Sequence, residues 1–158
     1  MERVAIFPGS FDPFTRGHQA IVEEALRIFD RVVIAIGYNT AKRSLLSVDA
    51  RKELIGRLYQ NDRRVEVTTY TTLTGDEARR VGASTIIRSA RNAQDFDYER
   101  TMDHANRQIF NDLHTIVIIA PAEVEHISSS LVRELHAFGH NTEHLLPEGI
   151  RLEEFLER

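Results

Sequence analysis

The sequence contains no cysteine and no tryptophan. Without cysteine there can be no disulfide bond, no thiolate catalysis and no zinc site built on cysteine. No apolar run approaches the roughly 20 residues that a membrane-spanning helix needs. The chain starts at Met1 and passes almost directly into a strand-like segment, with no signal-peptide pattern. We therefore expect a cytoplasmic protein with no membrane partner.

An excess of positive charge is also absent. The chain has 20 Lys and Arg against 24 Asp and Glu, a formal net charge of −4. Such a balance provides no broad basic surface, so we expect no nucleic-acid partner. An anionic substrate must instead be bound by locally placed cations and backbone N–H groups.

Two common nucleotide-binding motifs are missing. The sequence has neither the G-x-x-x-x-G-K-[ST] pattern of P-loop proteins nor the G-x-G-x-x-G pattern of dinucleotide oxidoreductases. This argues against a P-loop kinase and against a standard nicotinamide or flavin enzyme.

Short β-branched runs alternate along the chain with longer amphipathic segments. This alternation predicts βαβ units, and near-continuous apolar strands predict a parallel sheet covered on both faces. The 158 residues suit one domain, residues 1–158, of the α/β class: a Rossmann-like, doubly wound fold with a five-stranded parallel sheet. Strands are predicted near residues 4–7, 32–36, 65–67, 85–87 and 115–119, and helices near 18–30, 48–60, 76–82, 93–110, 129–138 and 148–157. Ser47 is predicted to cap the second helix.

The loop after the first predicted strand carries the strongest functional signal. It contains Gly9 and Ser10 and leads to Gly17 and His18 at the start of a helix. Glycine allows a tight turn or a close approach to a ligand, and a helix N-terminus favours anions. An imidazole there can donate to a phosphate when neutral and adds charge when protonated. A helix-capping histidine in an ordinary turn is the alternative for the Gly-His pair alone.

Two further segments at predicted strand ends point to phosphate chemistry. Ser128, Ser129 and Ser130 open the helix after the fifth strand, where hydroxyls and N–H groups can form a second anion site, although one serine would suffice as a cap. Arg88 and Arg91 end the fourth strand and can converge on a polyanion.

The stretch Gly9-Ser10-Phe11-Asp12-Pro13, followed by Thr15-x-Gly17-His18, resembles the nucleotidyltransferase superfamily with its (H/T)-x-G-H signature. Within that superfamily the chain is most similar to the phosphopantetheine adenylyltransferase family, and the likeness covers essentially the whole chain. The resemblance implies that the adenylyl group of ATP is transferred to 4′-phosphopantetheine, giving dephospho-coenzyme A and pyrophosphate in coenzyme A biosynthesis. It also implies Mg²⁺, a homohexamer and coenzyme A as a feedback ligand.

The resemblance assigns roles residue by residue. His18, Lys42, Arg88 and Ser10 are expected to be catalytic, and Ser10, Lys42, Thr74, Arg88 and Asn106 to bind the acceptor. ATP is expected to be bound by Ser10, Phe11, His18, Ser89, Ala90, Arg91, Glu99, Val124, Glu125, His126, Ile127, Ser128, Ser129 and Ser130.

The chain departs from the family pattern at a few positions. Ser89 and Ala90 stand where the family usually has Gly and Leu, and Val124 stands where an aromatic residue is usual. The segment around Thr74 is more polar than usual. These changes bear on the acceptor more than on the chemistry, so two alternatives stay open: a related enzyme acting on nicotinate mononucleotide or glycerol phosphate, and a non-catalytic nucleotide-binding module.

The expected mechanism needs neither a strong general base nor a metal site built from protein side chains. A phosphate monoester has a second pKa of about 6 and is already a dianionic nucleophile at neutral pH. We therefore expect catalysis by positioning and charge neutralisation, with Mg²⁺ bound mainly by the triphosphate. His136, His140 and His144 are interpreted as surface residues, so no protein metal ligands are predicted. Asp12 either contacts the residues that bind the substrates, without touching the substrates themselves, or stabilises its own loop.

Overall fold

A computed structural model describes residues 1–156 of the protein. Five strands form one all-parallel sheet in the order β3-β2-β1-β4-β5. The strands are β1 (Val4–Gly9), β2 (Arg31–Gly37), β3 (Val65–Tyr70), β4 (Thr85–Ala90) and β5 (His114–Ile119). The predicted α/β class and five-stranded parallel sheet are confirmed.

Five α-helices connect the strands or follow the last one. They are α1 (Arg16–Ala25), α2 (Val48–Tyr59), α3 (Thr74–Arg80), α4 (Ala93–Ile109) and α5 (Ser129–Ala137). The start of α2 is as predicted, since the Ser47 hydroxyl accepts a hydrogen bond from the Ala50 N–H at 3.1 Å. Within residues 1–156, no helix has both the length and the apolar character that crossing a bilayer requires.

Alternate strand residues enter two separate apolar clusters, one on each face of the sheet. On one face, Phe7 and Ile34 pack with the buried residues of α1, α2 and α5. On the other, Ile6 and Val33 pack with Ala78 of α3 and with residues that follow α3 and α4. Because both faces are covered, the strands read as continuous apolar runs, as the sequence predicted.

The predicted helix at residues 148–157 is wrong within the described residues. Glu143–Leu145 and Leu152–Glu154 form short 3₁₀ turns instead, and position 157 lies outside the described part of the chain. Gly149 has a φ of 81°, a left-handed conformation that interrupts a right-handed helix. The apolar residues Leu152 and Phe155 nevertheless pack into the core on the α1/α2/α5 side.

Two helical glycines provide a matched stability test. Gly75 in α3 is buried, and an added Cβ would overlap the ring of Phe110. Gly56 in α2 has nothing within 4 Å of the same position. We expect Gly75→Ala to lower the free energy of unfolding by about 1–3 kcal/mol through overpacking. Gly56→Ala should raise it by up to about 1 kcal/mol through helix propensity.

Urea denaturation of the two variants and the wild type measures both changes. Equal shifts in the two variants would contradict the packing of Gly75 against Phe110.

Candidate active site

The candidate site lies where the direction of strand addition reverses. β1 pairs with β2 on one side and with β4 on the other, all parallel. In open parallel sheets, ligands bind beyond the carboxyl ends of the strands at such a switch point. The β1–α1 loop, the end of β4 and the start of α5 meet there, and these are three of the segments that the sequence singled out.

Local packing explains the composition of the β1–α1 loop. β1 extends to Gly9, two residues beyond its predicted end. A Cβ on Gly9 would come within 2.9 Å of the Phe11 ring, so a side chain there would displace that ring. Phe11 has a φ of 50° and is buried. Its ring contacts the His18 imidazole edge to face, with centroids 5.0 Å apart.

A capping box fixes the orientation of His18. The helix begins at Arg16, with Thr15 as its N-cap and His18 at the third position. The Thr15 backbone N–H donates to Nδ1 of His18 at 3.0 Å. An acceptor nitrogen carries no proton, so the neutral ring bears its hydrogen on Nε2. His18 is therefore a helix-capping histidine, as the alternative interpretation of the Gly-His pair holds. Its neutral ring also has a defined hydrogen-bond donor, Nε2–H.

Burial lowers the pKa of His18 to about 4, and the positive charge of Arg91 contributes in the same direction. The imidazole is consequently neutral near pH 7. Of the two modes of phosphate binding considered from the sequence, the structure favours donation by the neutral ring over attraction by a charged one.

One cavity of about 300 Å³ brings much of the predicted nucleotide site together. His18, Ser89, Arg91, Ser128 and Ser129 all line it. An adjoining cavity contains His18 and Ser129 again, now with Ser10, Phe11 and Arg88. His18 thus shares one cavity with Arg91 and the serines at the start of α5, and the adjoining one with Arg88. The sequence hypothesis requires these groups to border a common cleft. The first cavity is also lined by Glu99, Val124 and Ile127 among the predicted residues, and by Thr15, Asp95 and Tyr98, which were not predicted.

Four residues predicted to contact ATP lie outside both cavities that contain His18. Ala90 is buried in the sheet, whereas Glu125, His126 and Ser130 are exposed. Their assignment came from the resemblance, and it stays a prediction.

The three serines of α5 make three different contacts. The Ser128 hydroxyl accepts from the Leu131 N–H at 3.1 Å as a helix cap. Ser129 donates to the Pro13 carbonyl at 2.7 Å, and the Ser130 hydroxyl accepts from Arg133 at 3.1 Å. The N–H groups of a first helical turn lack intrahelical acceptors. Since the Ser128 hydroxyl already accepts that of Leu131, the N–H groups of Ser129 and Ser130 are the donors that α5 offers an anion.

Glu99 and Arg88 form a bidentate ion pair. Nε and Nη2 of Arg88 donate to the two carboxylate oxygens at 2.7 and 3.0 Å. Glu99 is buried, whereas about a third of the Arg88 side chain is exposed. Glu99 was predicted to lie on the ATP side. The structure adds that its carboxylate orients Arg88.

A second group of predicted residues lies on the other side of Arg88. Thr74, Arg88 and Asn106 line a cavity of about 200 Å³ together with apolar side chains. The walls include Leu73, Met102, Ile109 and Phe110. The cavity therefore combines one guanidinium, that of Arg88, and the carboxylates of Glu99 and Asp103 with an apolar wall.

Lys42 lies apart from His18. It is exposed and lines a cavity of about 470 Å³ that it shares with Ser10, Arg43, Arg51 and Arg133. Ser10 also borders the cavity that contains His18 and Arg88, so it connects the two regions. Arg51 and Arg133 were missed from sequence. The sequence indicates them only by position: Arg51 lies four residues after the helix cap Ser47, and Arg133 lies three residues after Ser130.

Comparisons with known proteins establish the family. The cytidylyltransferase-like family profile matches residues 6–135. A phosphopantetheine adenylyltransferase of Porphyromonas gingivalis is 45% identical over 152 residues, covering 96% of this chain and 99% of the relative. Those of Phocaeicola vulgatus and Cytophaga hutchinsonii are 43% and 40% identical and cover 96% and 93% of this chain.

The chain belongs to the phosphopantetheine adenylyltransferase family. The resemblance inferred from the loop motif and its accompanying residues is thereby confirmed.

The adenylyltransferase fold also has likenesses among solved structures. A bifunctional NMN adenylyltransferase/ADP ribose pyrophosphatase from Francisella tularensis, complexed with AMP and a manganese ion, superposes with a TM-score of 0.70 and 18% identity. The match covers 95% of this chain and 46% of that protein. At this identity the likeness supports the fold alone.

The low pKa of His18 predicts a specific dependence of stability on pH. The pKa is about 4 in the folded protein and near 6.5 in an unfolded chain. The unfolded state therefore takes up its proton first as the pH falls. The stabilisation associated with neutral His18 is complete above about pH 6.5 and is lost on approach to pH 4.

Urea denaturation at several pH values should show a shallower loss of stability for His18→Gln than for the wild type between about pH 6.5 and 4. The two curves should differ by at most about 3 kcal/mol over that range, since one pKa unit corresponds to about 1.4 kcal/mol. Between pH 7 and 8 they should run parallel. Parallel curves over the whole range would show that His18 is not protected from protonation.

Proposed function

We propose that this protein transfers the adenylyl group of ATP to 4′-phosphopantetheine, giving dephospho-coenzyme A and pyrophosphate. The main support is one juxtaposition in a chain of this family: His18, Arg91 and the serines at the start of α5 border a single cavity. The His18 ring is neutral and carries its hydrogen on Nε2. Arg88 borders the adjoining cavity with His18. Together they form a donor-rich cleft in a protein whose net charge is −4.

The reaction is an in-line displacement at the α-phosphorus of ATP. An oxygen of the acceptor phosphate forms a new bond to that phosphorus, and the bond to the β-phosphate oxygen breaks to release pyrophosphate. The attacking phosphate is largely dianionic near neutral pH, because its second pKa is about 6. A general base is therefore unnecessary, and the two carboxylates that share the cavity with His18 are paired with arginines, Glu99 with Arg88 and Asp95 with Arg91.

We assign His18 to the α-phosphate. Its Nε2–H can donate to the oxygen on which negative charge develops, and its neutral state means that no proton is transferred. A fixed donor in a partly dehydrated cleft stabilises such charge without reorganising during the reaction. Arg91 and the first-turn N–H groups of α5 are assigned to the triphosphate and the departing pyrophosphate.

We assign Arg88, Ser10 and Lys42 to the acceptor phosphate. Arg88 borders both the cavity with His18 and the apolar-walled cavity with Thr74 and Asn106. An acceptor with a phosphate at one end and a long amide-containing arm fits this layout, because the arm would extend along the apolar wall. Glu99 holds the guanidinium of Arg88 between the two cavities.

Mg²⁺ is proposed as the metal that accompanies ATP. Among residues 1–156, no three His, Asp or Glu side chains are grouped as a metal site. The carboxylates near the cleft are already engaged, Glu99 by Arg88 and Asp95 by Arg91. These contacts fit an ion held chiefly by phosphate oxygens and water, as Mg²⁺ often is. Bound there, it would offset triphosphate charge.

Assembly, regulation and location are proposed from the resemblance. A homo-oligomer, expected to be a hexamer, is supported by large apolar side chains that are exposed in the single chain, including Ile119 at 80% and Phe138 at 76%. Such residues are typical of subunit contacts when they form patches. Feedback binding of coenzyme A and a cytoplasmic location rest on the resemblance and on the sequence alone.

A pyrophosphate-release assay tests the proposed reaction. With ATP and Mg²⁺, 4′-phosphopantetheine should be turned over with a kcat/KM at least 100-fold above that of nicotinate mononucleotide, and glycerol phosphate with CTP should give no product. Mass spectrometry should identify dephospho-coenzyme A. Turnover of another acceptor in preference to phosphopantetheine would refute the assignment, as would tight ATP binding without product.

Replacement of His18 tests its role in the transition state. His18→Ala should lower kcat about 100- to 1,000-fold, as expected for removal of one preorganised donor. The KM for ATP should change by less than threefold. His140→Ala, at an exposed position, serves as the control and should retain wild-type kcat. A parallel loss of folded protein and activity in His18→Ala would instead indicate a structural histidine.

A further inference from the structure

Asp12 in the β1–α1 loop makes three hydrogen bonds to other segments of the chain. Both of its carboxylate oxygens accept backbone N–H groups from the loop that follows β2: Oδ2 from Leu45 and Oδ1 from Leu46, each at 2.8 Å. Asp12 is 6% exposed and Leu46 is 1% exposed. The carboxylate thus joins two loops, and the residues it bonds lie 33 and 34 positions away in sequence.

The loop held in this way carries Lys42. The Lys42 N–H bonds the Asn39 carbonyl at 3.0 Å, and the Ala41 N–H bonds the Asn39 side chain at 2.9 Å. These two contacts are local and shape the turn without fixing its place on the protein. Leu45, three residues beyond Lys42, donates its N–H to the Asp12 carboxylate, and this bond attaches the turn to the loop that carries Ser10.

The main chain around Asp12 is itself held from two other directions. Arg133 of α5 donates to the Asp12 carbonyl at 2.8 Å, and Ser129 donates to the Pro13 carbonyl at 2.7 Å. Buried Arg51 of α2 donates to the Ser10 carbonyl at 2.8 Å. The segment Ser10–Pro13 is therefore attached to α2 and α5, which makes it a firm support for the Lys42 loop.

Charge around Asp12 favours the same arrangement. Burial lowers the pKa of Arg51, and the negative charge of Asp12 acts in the opposite direction. Lys42, Arg43, Arg51 and Arg133 border one cavity, and Asp12 is its one acidic neighbour. Because the carboxylate points its oxygens at two N–H groups, it counters the clustered positive charge without occupying the place of an anionic ligand.

We propose that Asp12 is a positioning residue that holds the Lys42 loop against Ser10, so that Lys42 reaches the acceptor phosphate. Asp12 acts through Lys42 and touches neither substrate. This inference rests on the proposed function, because it takes the acceptor phosphate to be the ligand of Lys42. It predicts that loss of the carboxylate impairs binding of the acceptor and leaves binding of ATP intact.

Asp12→Asn is the first variant, because the amide has one acceptor oxygen where the loop presents two N–H donors. An unsatisfied buried donor is costly, so the loop should be displaced. We expect the KM for phosphopantetheine to rise at least tenfold and the KM for ATP to change less than twofold. In a Lys42→Ala background, Asp12→Asn should change the acceptor KM less than twofold, since Lys42 is no longer there to be positioned.

Asp62→Asn is the matched control. Asp62 likewise accepts a loop N–H, that of Arg64 at 3.0 Å, but it precedes the amino end of β3, whereas the site lies beyond the carboxyl ends of the strands. Its kinetic constants should be those of the wild type. If Asp12→Asn does not fold, Asp12→Glu provides the second test, because it keeps the charge and displaces the oxygens by one methylene. It should show the same selective rise in acceptor KM.

Amide hydrogen exchange gives a readout that does not depend on turnover. Protection of the Leu45 and Leu46 amides should fall at least tenfold in Asp12→Asn, while the β1 amides keep theirs. Unchanged protection would overturn the inference, as would equal rises in both KM values or full additivity with Lys42→Ala. If the wild type gives no product from phosphopantetheine, the proposed function fails, whereas the exchange experiment still decides whether Asp12 holds the loop.

Discussion

The reversal of strand order at β1 is the constraint on which the site depends. Since β2 and β4 flank β1 in parallel, the segments that leave these strands emerge at one edge of the sheet with a gap between them. Residues far apart in sequence meet there. Ser129 bonds the Pro13 carbonyl across 116 positions, and Arg133 bonds the Asp12 carbonyl across 121. A cleft for two phosphate esters follows from this topology.

The second constraint is electrostatic. A chain with a net charge of −4 must still bring two anions together. It does so by engaging the acids near the cleft internally: Glu99 pairs with Arg88, Asp95 pairs with Arg91, and Asp12 accepts two backbone N–H groups. The cations and the first turn of α5 then face the cavities with little competition from neighbouring carboxylates. Neutral His18 carries a hydrogen-bond donor, its Nε2–H, without adding charge.

Sequence reasoning was accurate where the signal is local. The five strands are visible as β-branched runs because each is covered on both faces, and the start of α2 is visible because Ser47 is a good N-cap. It failed at residues 148–156, where an amphipathic segment indicated a helix. Gly149 takes a left-handed conformation there, and Leu152 and Phe155 are buried by packing against the core without a regular helix. Apolar spacing cannot distinguish these cases, because it reports which residues are buried and not the backbone between them.

The amino-acid sequence by itself determined the class of fold, the family and the residue types available for phosphate binding, because motifs such as Gly17-His18 and the triple serine are contiguous. Only the tertiary structure decided which contacts hold those residues in place and which of them are buried. It showed that His18 is held by Thr15 and protected from protonation, that Glu99 orients Arg88, and that Asp12 joins the Lys42 loop to the β1–α1 loop. Except for the capping contact of Thr15, these relations depend on burial or on contacts between separate segments, and neither distance nor dehydration is encoded in any single stretch of the chain.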